Sequence, residues 1–156
     1  ILRYILETCE TAKQAQQVLT RVPSPMAYNV TVLDAQGAHV TVMISPGSEP
    51  MISRSLLATN HQEQVEWQEH ARVTATLDRA HFLSLRLQDE EETSERFQAR
   101  FQMPPLYQTK FAEGWGTLYT AIYTPRHHSA TFRWPGYEYA TSIEEFAETA
   151  LSINIS

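Results

Sequence analysis

The sequence is poor in cysteine, in glycine and in positive charge, and each shortage excludes something. Cys9 is the only cysteine among 156 residues, so no disulfide forms within the chain and a secreted disulfide scaffold is excluded. That fits a reducing compartment, with the cytoplasm as the default expectation. The five glycines are scattered at turn positions. None belongs to a Gly-rich phosphate cradle, and there is no Gly-x-Ser-x-Gly elbow to present a serine nucleophile. Twelve Lys and Arg against 18 Asp and Glu give a formal charge of −6. The basic residues never cluster, whereas a nucleic-acid partner or an anionic membrane surface would call for a basic face. No apolar run reaches the roughly 18 residues that a bilayer-spanning helix needs. The opening Ile1-Leu2-Arg3-Tyr4-Ile5-Leu6 turns polar too soon for a signal peptide. It also lacks an initiator Met and begins in mid-pattern, which raises the expectation of a chain cut or processed at that point.

What is present describes an ordinary globular protein, with 42% apolar and 19% charged residues. The length suits a single domain over residues 1–156 with a real core. Leu2, Ile5, Leu6 and Cys9 follow the i, i+3, i+4, i+7 spacing of one helical face. Thr11 and Gln14 read as a capping box opening a second helix, with Ala15, Val18, Leu19 and Val22 apolar, before Pro23 and Pro25 end it.

Residues 27–45 alternate with period two about an Asp34-Ala35-Gln36-Gly37 turn, a β-hairpin pattern. Tyr28, Val30 and Val32 share one face. Residues 51–59 are expected to supply short strands ending at Thr59-Asn60-His61. Val65 to Arg72 reads as loop with some helix. From Thr76, the spacing of Leu77, Ala80, Leu83 and Leu87 predicts a helix, and the acidic run Asp89–Glu92 reads as a solvated helix start or loop. Phe97 and Phe101 mark a further helix that Pro104-Pro105 stops. A second hairpin spans Thr117–Trp134 with Pro125 in its turn. Ser142 and Glu145 read as a capping box for a last helix carrying Ile143, Phe146, Ala147 and Ala150. Hairpins imply antiparallel sheet with helices in separate layers, an α+β fold.

For most chemistry-bearing residues the structural reading is the stronger one. Cys9 shares its predicted face with Ile5, where a thiol acts as a small inert hydrophobe. The six histidines lack the spacing of a zinc site, so no metal and no cofactor are expected. Two polar residues stand apart. Asn60 follows the apolar Leu56-Leu57-Ala58; it reads either as a turn residue or as a carboxamide able to point an N–H at a developing oxyanion. Arg79 lies in the first turn of the Leu77–Leu87 helix, where a cation opposes the helix dipole. It has either a partner elsewhere or an ordinary surface ion pair.

Taken in order, several segments resemble the acyl-coenzyme A:6-aminopenicillanic acid acyltransferase family. They are Leu2 to Cys9, the helix through Leu19, and Ala27-Tyr28-Asn29-Val30-Thr31-Val32-Leu33-Asp34. Ala58-Thr59-Asn60-His61 is similar to its Thr-Asn-His motif, and Thr76-Leu77-Asp78-Arg79 to its Ser-x-x-Arg helix start. Gly116 to Tyr119, with Phe132 to Gly136, resembles its closing hairpin. Penicillin V acylases and bile-salt hydrolases are related. The resemblance implies a four-layer αββα N-terminal-nucleophile (Ntn) hydrolase sandwich, acting on a small-molecule amide or acyl donor at a linear C–N bond. In that family an amino-terminal cysteine is nucleophile and its α-amine the base. The resemblance assigns Asn60 to the oxyanion hole and Arg79 to the surroundings of the nucleophile, as catalytic residues. Tyr28, Asn29 and His61 are expected to bind substrate.

The departure is the nucleophile, which in the family lies upstream of the first helix seen here and which Ile1 cannot replace. The expectation is therefore a carboxy-terminal portion, inactive alone, that meets a missing amino-terminal half, a companion chain or a second copy of itself. The competing reading is a non-catalytic binding or dimerisation module using Tyr28, Trp115, Tyr119 and Trp134 as its surface.

Overall fold

The computed structural model describes residues 1–155 except 64 and 66. It is an α+β fold in which helices accompany two three-stranded antiparallel sheets. The chain forms two compact units, Ile1–Leu83 and Ser84–Ser156.

The first unit begins with helix α1 (Leu2–Thr8) and helix α2 (Ala12–Leu19). The capping box between them is complete. Thr11 Oγ1 accepts from the Gln14 N–H at 3.3 Å, and Gln14 Oε1 accepts from the Thr11 N–H at 3.1 Å. These two bonds satisfy donors that the first helical turn leaves open. Helix α2 buries Ala12, Ala15 and Leu19 against Val40, Val42 and Ile44 of the sheet, with Ile5 completing the core. Full burial of each large aliphatic chain stabilises by roughly 1.5–3 kcal/mol. The expected apolar face of α1 is only partly used. Ile5 is buried and Cys9 packs on the core, but Leu2 and Leu6 stay exposed. A helix of two turns meets the core along the single line from Ile5 to Cys9, narrower than the stripe that the spacing describes.

Strands β1 (Tyr28–Leu33) and β2 (His39–Ile44) pair in the predicted hairpin, Val30 opposite Val42. Its turn is held by Asp34, whose Oδ1 accepts from the Gln36 and Ala38 N–H groups, and Gly37 takes φ +90°. Asp34 Oδ2 also accepts from the Ala12 N–H at 3.0 Å, tying the turn to the start of α2.

Strand β3 is only Met51–Ser53. The expected run of strand to Asn60 is replaced by irregular chain, so Asn60 does not end a strand. The reason is local. Ser53 Oγ accepts from the Ser55 N–H and Ser55 Oγ from the Leu57 N–H, side-chain bonds that compete with a ladder. Helices α3 (Gln68–Val73) and α4 (Thr76–Leu87) follow, joined through Ala75 at φ +48°. A non-glycine residue there costs on the order of 1–3 kcal/mol and fixes the direction in which α4 starts.

In the second unit, helix α5 (Ser94–Arg100) is capped by Thr93, and Phe97 stacks edge-on against Phe101. The acidic run is not wholly solvated. Glu92 keeps only 4% of its side chain exposed, 3.7 Å from Arg86 and 3.5 Å from Arg100. Strands β4 (Thr120–Thr124), β5 (Ser129–Trp134) and β6 (Tyr137–Ser142) form the second sheet. The expected last helix is absent. Strand β6 runs through Ser142, the expected cap, and residues 143–150 form no helix; the strand is entered through Gly136 at φ +77°. Ser142 Oγ does accept from the Glu145 N–H, but the Ile143 N–H binds the His128 carbonyl, and Ile143 and Phe146 remain exposed. Half a capping box without an apolar face to bury does not sustain a helix.

Candidate functional site

A cleft of about 750 Å³ opens in the first unit, and Tyr28, Asn29, Asn60, His61 and Arg79 all line it. They come from β1, from the irregular chain after β3 and from the first turns of α4. The structure therefore places the five residues that the resemblance named as site residues around one cleft.

The segment 59–61 has no ladder to hold it and is fixed by side chains instead. Asn29 Nδ2 donates to the Thr59 and His61 carbonyls, both at 2.8 Å. The Asn60 N–H donates to Thr76 Oγ1 at 2.9 Å, and Thr76 is buried at the start of α4. His61 Nδ1 lies 3.0 Å from both Thr59 Oγ1 and Thr76 Oγ1. Two hydroxyls thus fix the imidazole ring by Nδ1, while among the described residues Nε2 has no hydrogen-bond partner. Gln62 closes the cleft floor by donating to the Ile44 carbonyl at 3.2 Å and accepting from Ser45 Oγ at 3.0 Å.

Arg79 is anchored at two points. Its Nε donates to the Thr74 carbonyl at 2.9 Å and its Nη2 to Asn60 Oδ1 at 2.6 Å. The first bond answers the unfavourable position at the start of α4: the guanidinium turns back to the C-terminal end of α3, where a cation suits the dipole. Among the described residues no carboxylate pairs with Arg79, which lines the cleft. Burial lowers the pKa of this guanidinium, because removing water disfavours the charged form. Arginine stays protonated nonetheless.

The chemistry follows from the Asn60–Arg79 bond. With Oδ1 held by a cation, the carboxamide has one orientation, and among the described residues its Nδ2 has no hydrogen-bond partner. A fixed N–H donor polarised by a neighbouring positive charge stabilises an oxyanion. Asn60 is exposed at the cleft, so a ligand reaches that donor. Cys9, by contrast, packs against the α2–sheet core, and does not line the cleft. Among the described residues no group of three or more His, Cys, Asp or Glu converges to hold a metal, and no helix is long and apolar enough to cross a membrane.

Sequence reasoning gave no role to the supports Thr59, Thr74, Thr76 and Gln62, although Thr59 and Thr76 stand in the segments that resemble family motifs. Thr76 carried one signal, a β-branched polar residue placed where a helix begins, but its partners lie 15 and 16 residues away.

No curated protein and no solved structure matches the chain. The family model described as acyl-coenzyme A:6-aminopenicillanic acid acyltransferase matches residues 1–139. That match takes in the whole cleft and the hairpins of both units, and the chain belongs to the acyl-coenzyme A:6-aminopenicillanic acid acyltransferase family.

Proposed function

We propose that this chain supplies the oxyanion-stabilising part of an Ntn-type site that cleaves or transfers acyl groups at linear amide C–N bonds, and that the nucleophilic cysteine lies outside residues 1–156. The observation that carries the reading is the Asn60 carboxamide, which lines the cleft with its oxygen held by Arg79. The packing of half-buried Cys9 against the α2–sheet core, away from the cleft, supports a nucleophile from elsewhere. The helices and two antiparallel sheets suit the four-layer αββα sandwich expected of such an enzyme.

In the proposed reaction the incoming cysteine thiolate attacks the substrate carbonyl carbon and a C–S bond forms. The carbonyl oxygen takes the negative charge and is met by Asn60 Nδ2 and the field of Arg79. As the C–N bond breaks, the proton taken from the thiol by the cysteine's α-amine passes to the departing amine. Water or an acceptor amine then attacks the thioester, the C–S bond breaks and the thiol is restored. Tyr28 and His61 form the wall against which the small-molecule amide or acyl donor rests.

The test is intact-mass trapping. Joined to a segment bearing an amino-terminal cysteine, the protein is mixed with penicillin V or an N-acyl amino acid and quenched early. An acyl adduct on that cysteine supports the reading. Turnover by the 156-residue chain alone, abolished by Cys9→Ser, overturns it. The alternative of a non-catalytic binding or dimerisation module rests on exposed aromatics such as Trp115 and Tyr119. The Tyr119 and Trp134 rings meet at a tilt of 51° with centroids 6.2 Å apart, which is also what plain packing would give.

A further inference from the structure

We infer that Asn29 is the positioning residue of this site. Its single amide nitrogen grips the backbone on both sides of Asn60 and so sets where the Asn60 carboxamide points. This rests on the proposed oxyanion role of Asn60, and it gives Asn29 a task other than touching substrate.

The geometry is specific. A carboxamide NH2 has two protons, and both find a carbonyl at 2.8 Å: Thr59 O just before Asn60, and His61 O just after it. Both carboxamide protons of Asn29 are thereby taken. The clamped segment lies between the end of β3 and α3, where no ladder bond constrains it. Asn29 itself is held rigidly in β1, paired opposite Met43, so a strand position lends its precision to an irregular one.

Two features argue that this clamp is more than incidental packing. Asparagine is disfavoured in strands, yet it occupies the second position of β1. Its Oδ1 is also buried with no partner among the described residues. A fold that leaves an acceptor unsatisfied in return for two donor bonds depends on those bonds. The third tie, from the Asn60 N–H to Thr76 Oγ1, fixes the peptide from the α4 side. Asn29 and Thr76 therefore hold the segment from two different elements, and Arg79 then sets the side-chain rotation.

The experiment has two arms. In hydrogen exchange on the 156-residue chain, Asn29→Ala should speed exchange of the Asn60 backbone amide by about tenfold or more, leaving the β2 core amides unchanged. In the nucleophile-bearing form, Asn29→Ala should lower kcat by roughly 10–100-fold, as a misplacement on the order of 1 Å does, with KM within about threefold. On an Asn60→Ala background the same change should be silent, because Asn29 acts through Asn60. Additive losses, or a rise in KM alone, overturn the inference in favour of direct substrate contact. Unchanged exchange at Asn60 overturns it whatever the kinetics show. If no form turns over substrate, the proposed reaction fails while the exchange arm still decides the clamp. Should Asn29→Ala not fold, Asn29→Leu repeats both arms, being close in shape and lacking both the donor and the unpaired oxygen.

Discussion

Arg79 Nη2 donates to Asn60 Oδ1 at 2.6 Å while Arg79 Nε holds the Thr74 carbonyl at 2.9 Å. These residues are 19 apart in sequence, and the bond gives each a meaning it lacks alone. Without Arg79 the Asn60 carboxamide is free to flip its oxygen toward the cleft, where it would repel an oxyanion. Without Asn60 the guanidinium is a half-buried cation with one remaining anchor.

Replacing Arg79 therefore tests the pair. Arg79→Ala should lower kcat in the nucleophile-bearing form by roughly 10- to 150-fold, the range set by one charge-assisted hydrogen bond. Arg79→Lys should recover only part of this, because a single ammonium does not span both acceptors as the planar fork does. Full recovery by lysine in steady-state assays would show that charge alone matters there.

Asp34 makes a prediction about acid. The Ala12 N–H foremost, then those of Ala38, Gln36 and Gly37, hold its pKa below the ordinary 3.8. A carboxylate with a depressed folded pKa stabilises the fold fully above its unfolded value, and that contribution is lost as pH falls through the folded one. Melting temperature followed by circular dichroism should drop for the natural sequence as pH falls below about 3.8. Asp34→Asn should melt lower at pH 7 and lose less over the same acid window.

Cys9 is predicted to be dispensable for chemistry. Its sulfur packs on the core and approaches Thr8 Oγ1 at 3.8 Å. Cys9→Ala should keep kcat within about twofold, at a stability cost of about 1 kcal/mol in urea unfolding, typical for a small side-chain change. Loss of turnover with an intact fold would place the nucleophile within this chain.

Much of the fold is written in local chemistry. The Thr11–Gln14 box and the Asp34–Gly37 turn act over a few residues, so helix α2 and the first hairpin are legible from sequence. The failures involve competition that sequence spacing does not show. Ser53 and Ser55 divert the backbone before Asn60 through their own side chains. The Ser142–Glu145 signal loses to β6, whose register on β5 depends on partners that pattern reading cannot see. At the site, the residue types and their gathering were legible through family resemblance. The Asn29 clamp and the Thr76 support were not, because each joins positions far apart in sequence.

Association is the remaining expectation. Among the described residues each sheet has two edge strands, β1 and β3 in one and β4 and β6 in the other. Exposed Ile52, Tyr123 and Tyr137 lie along them. Open edges beside apolar side chains favour pairing with a companion segment or a second copy. Sedimentation velocity should show mass rising with concentration. A clean monomer at high concentration would contradict this.

The most direct measurement is single-turnover acylation by Asn60→Ala in the nucleophile-bearing form. An oxyanion donor of this kind is worth about 10²–10³ in rate, so acylation should slow by that factor while substrate affinity stays within about threefold. Acylation at the unsubstituted rate, in a variant that folds and binds substrate normally, would remove the Asn60 carboxamide from the reaction and the account with it.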